Sequence, residues 1–329
     1  MAFHKAIRKQ AKLRLALSGP SGSGKTYSAL LIAQGLAPDG RIALIDTERG
    51  SGELYAHLAD YDIATLTPPY TPDRYIRLIQ DAEQAGYQVL IIDSLSHAWT
   101  GQGGVLDMHE KAATAARGNT WAAWREVTPQ HNALVDAMLG SNLHLIATLR
   151  TKTAYDVTEE NGKKKPVKVG LAPVQREGME YEFSVLLDLT VDSHIATAAK
   201  DRTSLFDGQH FTPTPETGVK LRDWLDSGVD PVAASQTLLD ALKVRVCEMD
   251  NVPHLENWWR AHQGEIVTLL PVDQERLKAH CAIRKAAILE GLKTESPPKA
   301  PRSKARSKGN GADAATPATL TPPLEQEAA

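Results

Sequence analysis

Eight residues, Gly19-Pro20-Ser21-Gly22-Ser23-Gly24-Lys25-Thr26, constrain this chain more than any others. They follow an apolar run at 13–18 and open a stretch with helical character at 25–36. Strand, glycine-rich turn and helix form the context in which G-x-x-x-x-G-K-[ST] holds a polyphosphate. The glycines let the backbone curl, so that several amide hydrogens converge on phosphate oxygens. The helix N-terminus adds positive potential at the same point. Lys25 reaches the terminal phosphates as a point charge, and the Thr26 hydroxyl is a ligand for Mg²⁺. Residues Gly19 to Thr26, with Tyr27 directly after them, are read as the site for ATP and its Mg²⁺.

Apolar runs of strand length recur at 13–18, 41–46, 88–93, 143–149 and 184–191, and helical stretches at 25–36, 72–84 and 121–139 fall between them. Short apolar strands with intervening helices predict an α/β fold, a mostly parallel sheet covered on both faces. The run at 185–191 and the next at 194–199 are joined by Asp192-Ser193, which predicts an antiparallel hairpin at the sheet edge. Four segments are expected: a basic N-terminal helix or arm at 1–12, a core at 13–229, a small helical module at 230–293 and a disordered tail at 294–329. The module shows Leu238, Leu239, Leu242 and Val246 on one stripe. The tail is rich in Pro, Ala, Ser and Lys, without apolar periodicity.

A second acidic position closes the run Val89-Leu90-Ile91-Ile92-Asp93. An Asp at the end of an apolar strand suits the second Mg²⁺-holding group of a phosphate-loop enzyme. The next residue is Ser94, so the position after the Asp offers no carboxylate to activate water. Ile42-Ala43-Leu44-Ile45-Asp46-Thr47-Glu48 supplies one. If that strand lies beside the phosphate-loop strand, Glu48 comes close to the γ-phosphate and orients the attacking water.

The strand ending in Asp46-Thr47-Glu48, with Tyr55 seven residues on, and the strand end Ile91-Ile92-Asp93-Ser94 resemble the RecA family. The resemblance implies a RecA-type P-loop NTPase core, with Glu48 activating water and Tyr55 stacking on adenine. More closely, the chain is similar to RecA-like phage ATPases of the single-strand annealing and recombination type. That likeness rests on Gly19–Thr26, on Asp46-Thr47-Glu48-Arg49-Gly50-Ser51 and on Trp124-Arg125-Glu126-Val127-Thr128-Pro129. It rests further on Thr148-Leu149-Arg150-Thr151-Lys152 and on Pro173 through Phe183. It places Thr148 where RecA carries a γ-phosphate-sensing Gln. It puts Lys200 and Arg202 where a neighbouring subunit inserts cations at the nucleotide, which implies a homo-oligomer with ATP at subunit interfaces. A single-strand-binding protein is an expected partner.

Two loops are expected near the nucleotide end of the sheet. The first, 97–119, contains Gly101-Gln102-Gly103-Gly104 and is flanked by His97, Trp99, Trp121 and Trp124. An exposed Trp there favours base stacking, and Trp124 is expected to be buried. The second, 151–178, carries Lys152, Lys163, Lys164, Lys165, Lys168 and Arg176, with a turn at Asn161-Gly162. That turn would make it a hairpin extending toward a nucleic-acid strand; its lysines would neutralise phosphates without reading sequence, with Tyr155 stacked on a base. In the family it resembles, the equivalent loops bind single-stranded DNA. In the helical module, neighbours Trp258 and Trp259 point about 100° apart, so one is expected in a core and the other on a contact surface.

The net charge of −3 means that any nucleic-acid affinity comes from local patches. Cys247 and Cys281 suggest neither a disulfide framework nor a zinc site, and fit a reducing cytoplasm, that of a bacterial host for a phage protein. The first twelve residues lack the apolar stretch of a signal peptide, and no run of about 18 apolar residues predicts a membrane span. The combined expectation is an ATP- and Mg²⁺-dependent DNA-recombination ATPase that binds single-stranded DNA and promotes annealing or strand pairing. A P-loop small-molecule kinase, a nucleotide-switched protein adaptor and a helicase-like ATPase are the alternatives.

Overall fold

A computed structural model describes residues 6–160 and 163–294, and their side chains except within 154–170 and 292–294. The first half runs β1 (Arg14–Gly19), α1 (Lys25–Leu36), β2 (Ile42–Asp46), β3 (Asp62–Thr65), α2 (Pro72–Gln84) and β4 (Val89–Asp93). Then come α3 (Ser96–Thr100), α4 (Val105–Ala115), α5 (Thr120–Gly140), β5 (His144–Glu160) and β6 (Lys163–Pro173). The core closes with β7 (Val185–Leu189), β8 (Ala196–Asp201), β9 (His210–Phe211) and α6 (Pro215–Asp226). Short 3₁₀ turns occupy Ser51–Tyr55 and Met179–Tyr181.

The strands form one sheet in the order β3-β2-β4-β5-β1-β7-β8-β9, with β6 paired to β5. From β3 to β7 every pairing is parallel. Because helices cover both faces, neighbouring residues of one strand serve two cores. Leu15 and Leu17 pack with α1 and with Leu221 and Leu225 of α6. Ala16 faces the opposite layer with Tyr75 and Ile79 of α2 and Leu134 and Met138 of α5. The same division splits Leu44 from Ile45 and Ile91 from Ile92. This is why these strands read as unbroken apolar runs.

Helix α1 crosses α6 at glycines. A Cβ added at Gly218 would lie 2.1 Å from the Ile32 carbonyl oxygen, and one at Gly35 would lie 1.8 Å from that of Pro215. Thr214 closes the N-terminus of α6 with a capping box, and Pro215 occupies its first turn.

Several elements differ from the sequence reading. The expected first loop is largely helical, forming α3 and α4. Within α4 only Val105 is buried, so no apolar stripe marks it in the sequence. The second loop forms the expected hairpin, but as a continuation of β5 past Leu149, paired with β6 from Thr151↔Pro173 to Glu160↔Lys163. The hairpin expected at the sheet edge forms as β7–β8, but β9 adds beyond it. Of the two forms expected for the N-terminus, described residues 6–12 take the arm. Gln10 N–H donates to Val229 O at 3.0 Å, and the Arg8 guanidinium lies 4.7 Å over the Trp224 ring.

Beyond the core, α7 (Pro231–Cys247), α8 (Val252–Ala261), α9 (Gln263–Ile266) and α10 (Pro271–Thr294) enclose a separate apolar cluster. Leu239, Leu242, Val246 and Trp258 are buried in it, whereas Trp259 is only packed against it. The tail from 295 onward, with its basic and acidic clusters, lies outside the described residues. Among the described residues no helix is long and apolar enough to cross a membrane.

Candidate nucleotide site

The phosphate loop joins β1 to α1 at the edge of a cleft of about 930 Å³. Gly22 and Gly24 hold φ of 82° and 81°, a backbone region that L side chains rarely adopt. At Gly19 there is no room for a Cβ, which would come within 2.4 Å of Ser23 Oγ and 2.8 Å of Leu189 O. Lys25 Nζ donates to the loop's own carbonyls, Gly19 O at 2.9 Å and Pro20 O at 2.8 Å. Burial pulls its ammonium below the ordinary lysine value, and nearby Asp93 and Glu48 oppose that. Ser23 Oγ is buried without a partner. A cation folded onto the carbonyls of its own loop is a group that a polyphosphate in the cleft would draw away.

Asp93 ends β4, and its carboxylate accepts two hydroxyls. Thr26 Oγ1 donates to Oδ2 and Thr148 Oγ1 to Oδ1, both at 2.5 Å. Thr148 is there because β5 lies between β4 and β1, where it pairs with Leu17. Burial pushes the Asp93 carboxyl up, and the two hydroxyl bonds pull against that. Thr26 and Asp93 thus present adjacent hard oxygens, the donor set that a largely hydrated Mg²⁺ takes beside phosphates.

Glu48 also lines the cleft, but not by the expected route. Strand β2 does not neighbour β1; β4 and β5 stand between them. The turn after β2 carries Glu48 across instead. The buried Asp46 carboxylate accepts Glu48 N–H at 2.5 Å and Gly50 N–H at 2.6 Å. Thr47 N–H donates to Asp93 O at 2.7 Å, and Ser94 N–H donates to Thr47 Oγ1 at 2.7 Å. His97 Nδ1 lies 2.6 Å from the same hydroxyl, with its ring stacked on Tyr70. The turn is therefore pinned to the end of β4. Glu48 accepts from Arg150 Nε at 2.9 Å and Nη2 at 2.5 Å. Burial pushes its carboxyl up, but the Arg150 guanidinium outweighs this and holds it below the usual carboxylate range.

Tyr27 and Tyr55 meet edge to face at the cleft wall, with ring centroids 6.2 Å apart. His194, Thr212 and Pro213 complete the lining, and sequence reasoning missed all three. His194 belongs to the β7–β8 turn and reaches the phosphate loop only because β7 neighbours β1. Its Nδ1 lies 3.3 Å from where a Gly24 Cβ would be.

The remaining expected site residues lie elsewhere. Lys200 Nζ donates to Glu180 O at 2.9 Å and Tyr181 O at 2.7 Å, and Arg202 donates to Tyr181 O at 3.1 Å. Neither lines the cleft of its own chain. Lys152 is exposed on β5, and the Arg176 guanidinium stands 6.0 Å over the Trp124 ring. Lys163, Lys164, Lys165 and Lys168 fall on β6 and Tyr155 on β5, but their side chains lie outside the described residues. Trp124 is half-buried rather than buried, and Trp121 is exposed.

A phosphate loop on a strand separated by one neighbour from an Asp-ended strand, within a mostly parallel sheet, defines a P-loop nucleoside-triphosphatase. Residues 11–218 match the family model described as AAA domain, and the chain belongs to that family. Membership assigns nucleotide binding and hydrolysis to the core. No curated protein matches the chain significantly.

Proposed function

We propose that this protein is an ATP- and Mg²⁺-dependent, RecA-like recombination ATPase of the phage annealing type. In this reading it binds single-stranded DNA and promotes annealing or strand pairing in a bacterial cytoplasm. One observation carries the reading most: β5 serves the nucleotide cleft at one end and the lysine-bearing hairpin at the other. Thr148 bonds Asp93 and Arg150 grips Glu48, and the same strand continues through Lys152 into its pairing with β6.

Bound ATP with Mg²⁺ supplies the phosphoryl group. The loop amides and Lys25 hold its phosphates, while Thr26 and Asp93 hold the cation. Tyr55, with Tyr27 beside it, offers an aromatic wall to the base. Glu48 orients the attacking water through its ionised carboxylate. Lys200 and Arg202 act in a neighbouring copy's cleft, so the working form is a homo-oligomer, with a single-strand-binding protein as partner. Lysines of the hairpin and Arg176 neutralise DNA phosphates.

The test is ATP turnover with and without single-stranded DNA, at low and moderate salt, for wild type and Glu48→Gln. Stimulation by DNA that weakens with salt and disappears in the variant supports the reading. Turnover indifferent to DNA, with no DNA binding, overturns it in favour of a kinase or adaptor.

A further inference from the structure

A second concavity of about 860 Å³ lies between the start of α5 and the segment after β6. Trp121 and Tyr181 line it and stand 83% and 68% exposed. Trp124 lies at its floor, stacked on His109 at 4.0 Å and on Trp99 at 6.0 Å between ring centroids. Arg176 stands over the Trp124 ring, and Arg125 lines the groove from α5.

Large aromatic rings left in water by a folded core mark a contact surface. Among the described residues no Leu, Ile, Val or Met lines this groove, and none offers the aliphatic socket that a docking helix fills. It offers ring faces and guanidinium planes, surfaces on which any base can stack. Glu177 and Glu180 share the Tyr181 wall. Lys200 Nζ donates to the Glu180 and Tyr181 carbonyls and stands 5.7 Å over the Tyr181 ring. Arg176 also lies near the base of the β5–β6 hairpin: Val174 N–H donates to Arg150 O at 2.6 Å, and Arg176 follows two residues on.

We propose that this groove stacks the bases of a single-stranded nucleic acid, with Trp121 and Tyr181 as the platforms and Arg125 and Arg176 on the adjoining phosphates. The proposal rests on the single-stranded-DNA reading above and adds the surface that contacts the bases.

The test compares binding of labelled oligo-dT with that of an abasic strand of equal length, by fluorescence anisotropy with Mg²⁺ and a non-hydrolysable ATP analogue. Trp121→Ala and Tyr181→Ala should each weaken oligo-dT binding about tenfold, within the range for loss of one base–aromatic stack. Their abasic-strand affinity should be unchanged, and Trp121→Phe should restore most of the oligo-dT affinity. Arg176→Ala should weaken both strands. Unchanged thermal midpoints show that the exposed-ring variants remain folded. If wild type binds oligo-dT and the Trp121→Ala/Tyr181→Ala variant binds it equally, the groove proposal alone falls. The same holds if both strands weaken together, or if the variant changes oligomer mass while DNA affinity stays. If wild type binds neither strand, the functional reading falls with it.

Discussion

Arg150 holds Glu48 through two hydrogen bonds across the mouth of the nucleotide cleft, from Nε at 2.9 Å and Nη2 at 2.5 Å. The two residues are 102 positions apart and come from strands separated by β4. The pairing ties the carboxylate proposed to orient water to the strand that continues into the hairpin. Both side chains retain solvent contact, so the pair contributes little to stability. Its consequence is protonation and orientation.

The acid limb of the rate–pH profile should report this pair. Glu48 is held below the usual carboxylate range because Arg150 outweighs the upward push of burial. Removing the guanidinium leaves burial unopposed by its main partner. In Arg150→Ala, kcat should therefore begin to fall at a higher pH than in wild type as the solution is acidified. Turnover measured from about pH 5 to 8 checks the sign, within the range where a raised carboxyl titrates. A limb that stays in place or moves to lower pH contradicts the assignment of Glu48 as base.

Glu48→Gln keeps the shape and removes the charge. Turnover should drop by about 100-fold or more, the scale of a lost general base. ATP affinity, measured by titration calorimetry, should remain within about threefold, because loop amides and Lys25 hold the phosphates.

Thr148→Val removes one of the two hydroxyls on Asp93 while keeping side-chain volume. The buried carboxylate then has a less fixed orientation toward Thr26. The Mg²⁺ concentration for half-maximal turnover should rise about tenfold, as for loss of a group that orients a metal ligand. The folded thermal baseline should survive, which circular dichroism checks.

Gly218→Ala tests the α1–α6 crossing. The added methyl meets the Ile32 carbonyl at 2.1 Å and Leu36 N at 2.8 Å. Alanine favours a helix over glycine by about 1 kcal/mol. Forced separation of two packed helices costs about 3 kcal/mol, the upper part of the overpacking range. A net loss of about 2 kcal/mol should lower Tm by about 4–8 °C for a core of this size.

The phosphate loop was legible because strand, glycines and helix occur in one stretch of chain. Asp93 was legible for a similar reason, as the end of an apolar strand. Glu48 was identified, but its placement was not, since strand order is decided by non-local packing. Residues of one strand do not reveal that β4 and β5 intervene. The apolar run of β5 stops at Leu149, where the two-sided core stops. Beyond that point the strand continues as a hairpin with β6, and the apolar signal of a doubly covered strand is absent. Strand β3 escaped notice because it is a four-residue edge strand without a fully buried residue. His194 had no local signal; its role follows from β7 lying next to β1.

On the proposed function β5 couples nucleotide to DNA, and coupling is reciprocal between two binding sites. The most direct measurement is oligo-dT affinity without nucleotide, with ADP and with a non-hydrolysable ATP analogue, for wild type and Arg150→Ala. Wild type should bind DNA about tenfold tighter with the ATP analogue than with ADP, within the usual range of coupling energies. Arg150→Ala should bind both forms alike. Equal wild-type affinity in all three nucleotide states would contradict the coupling.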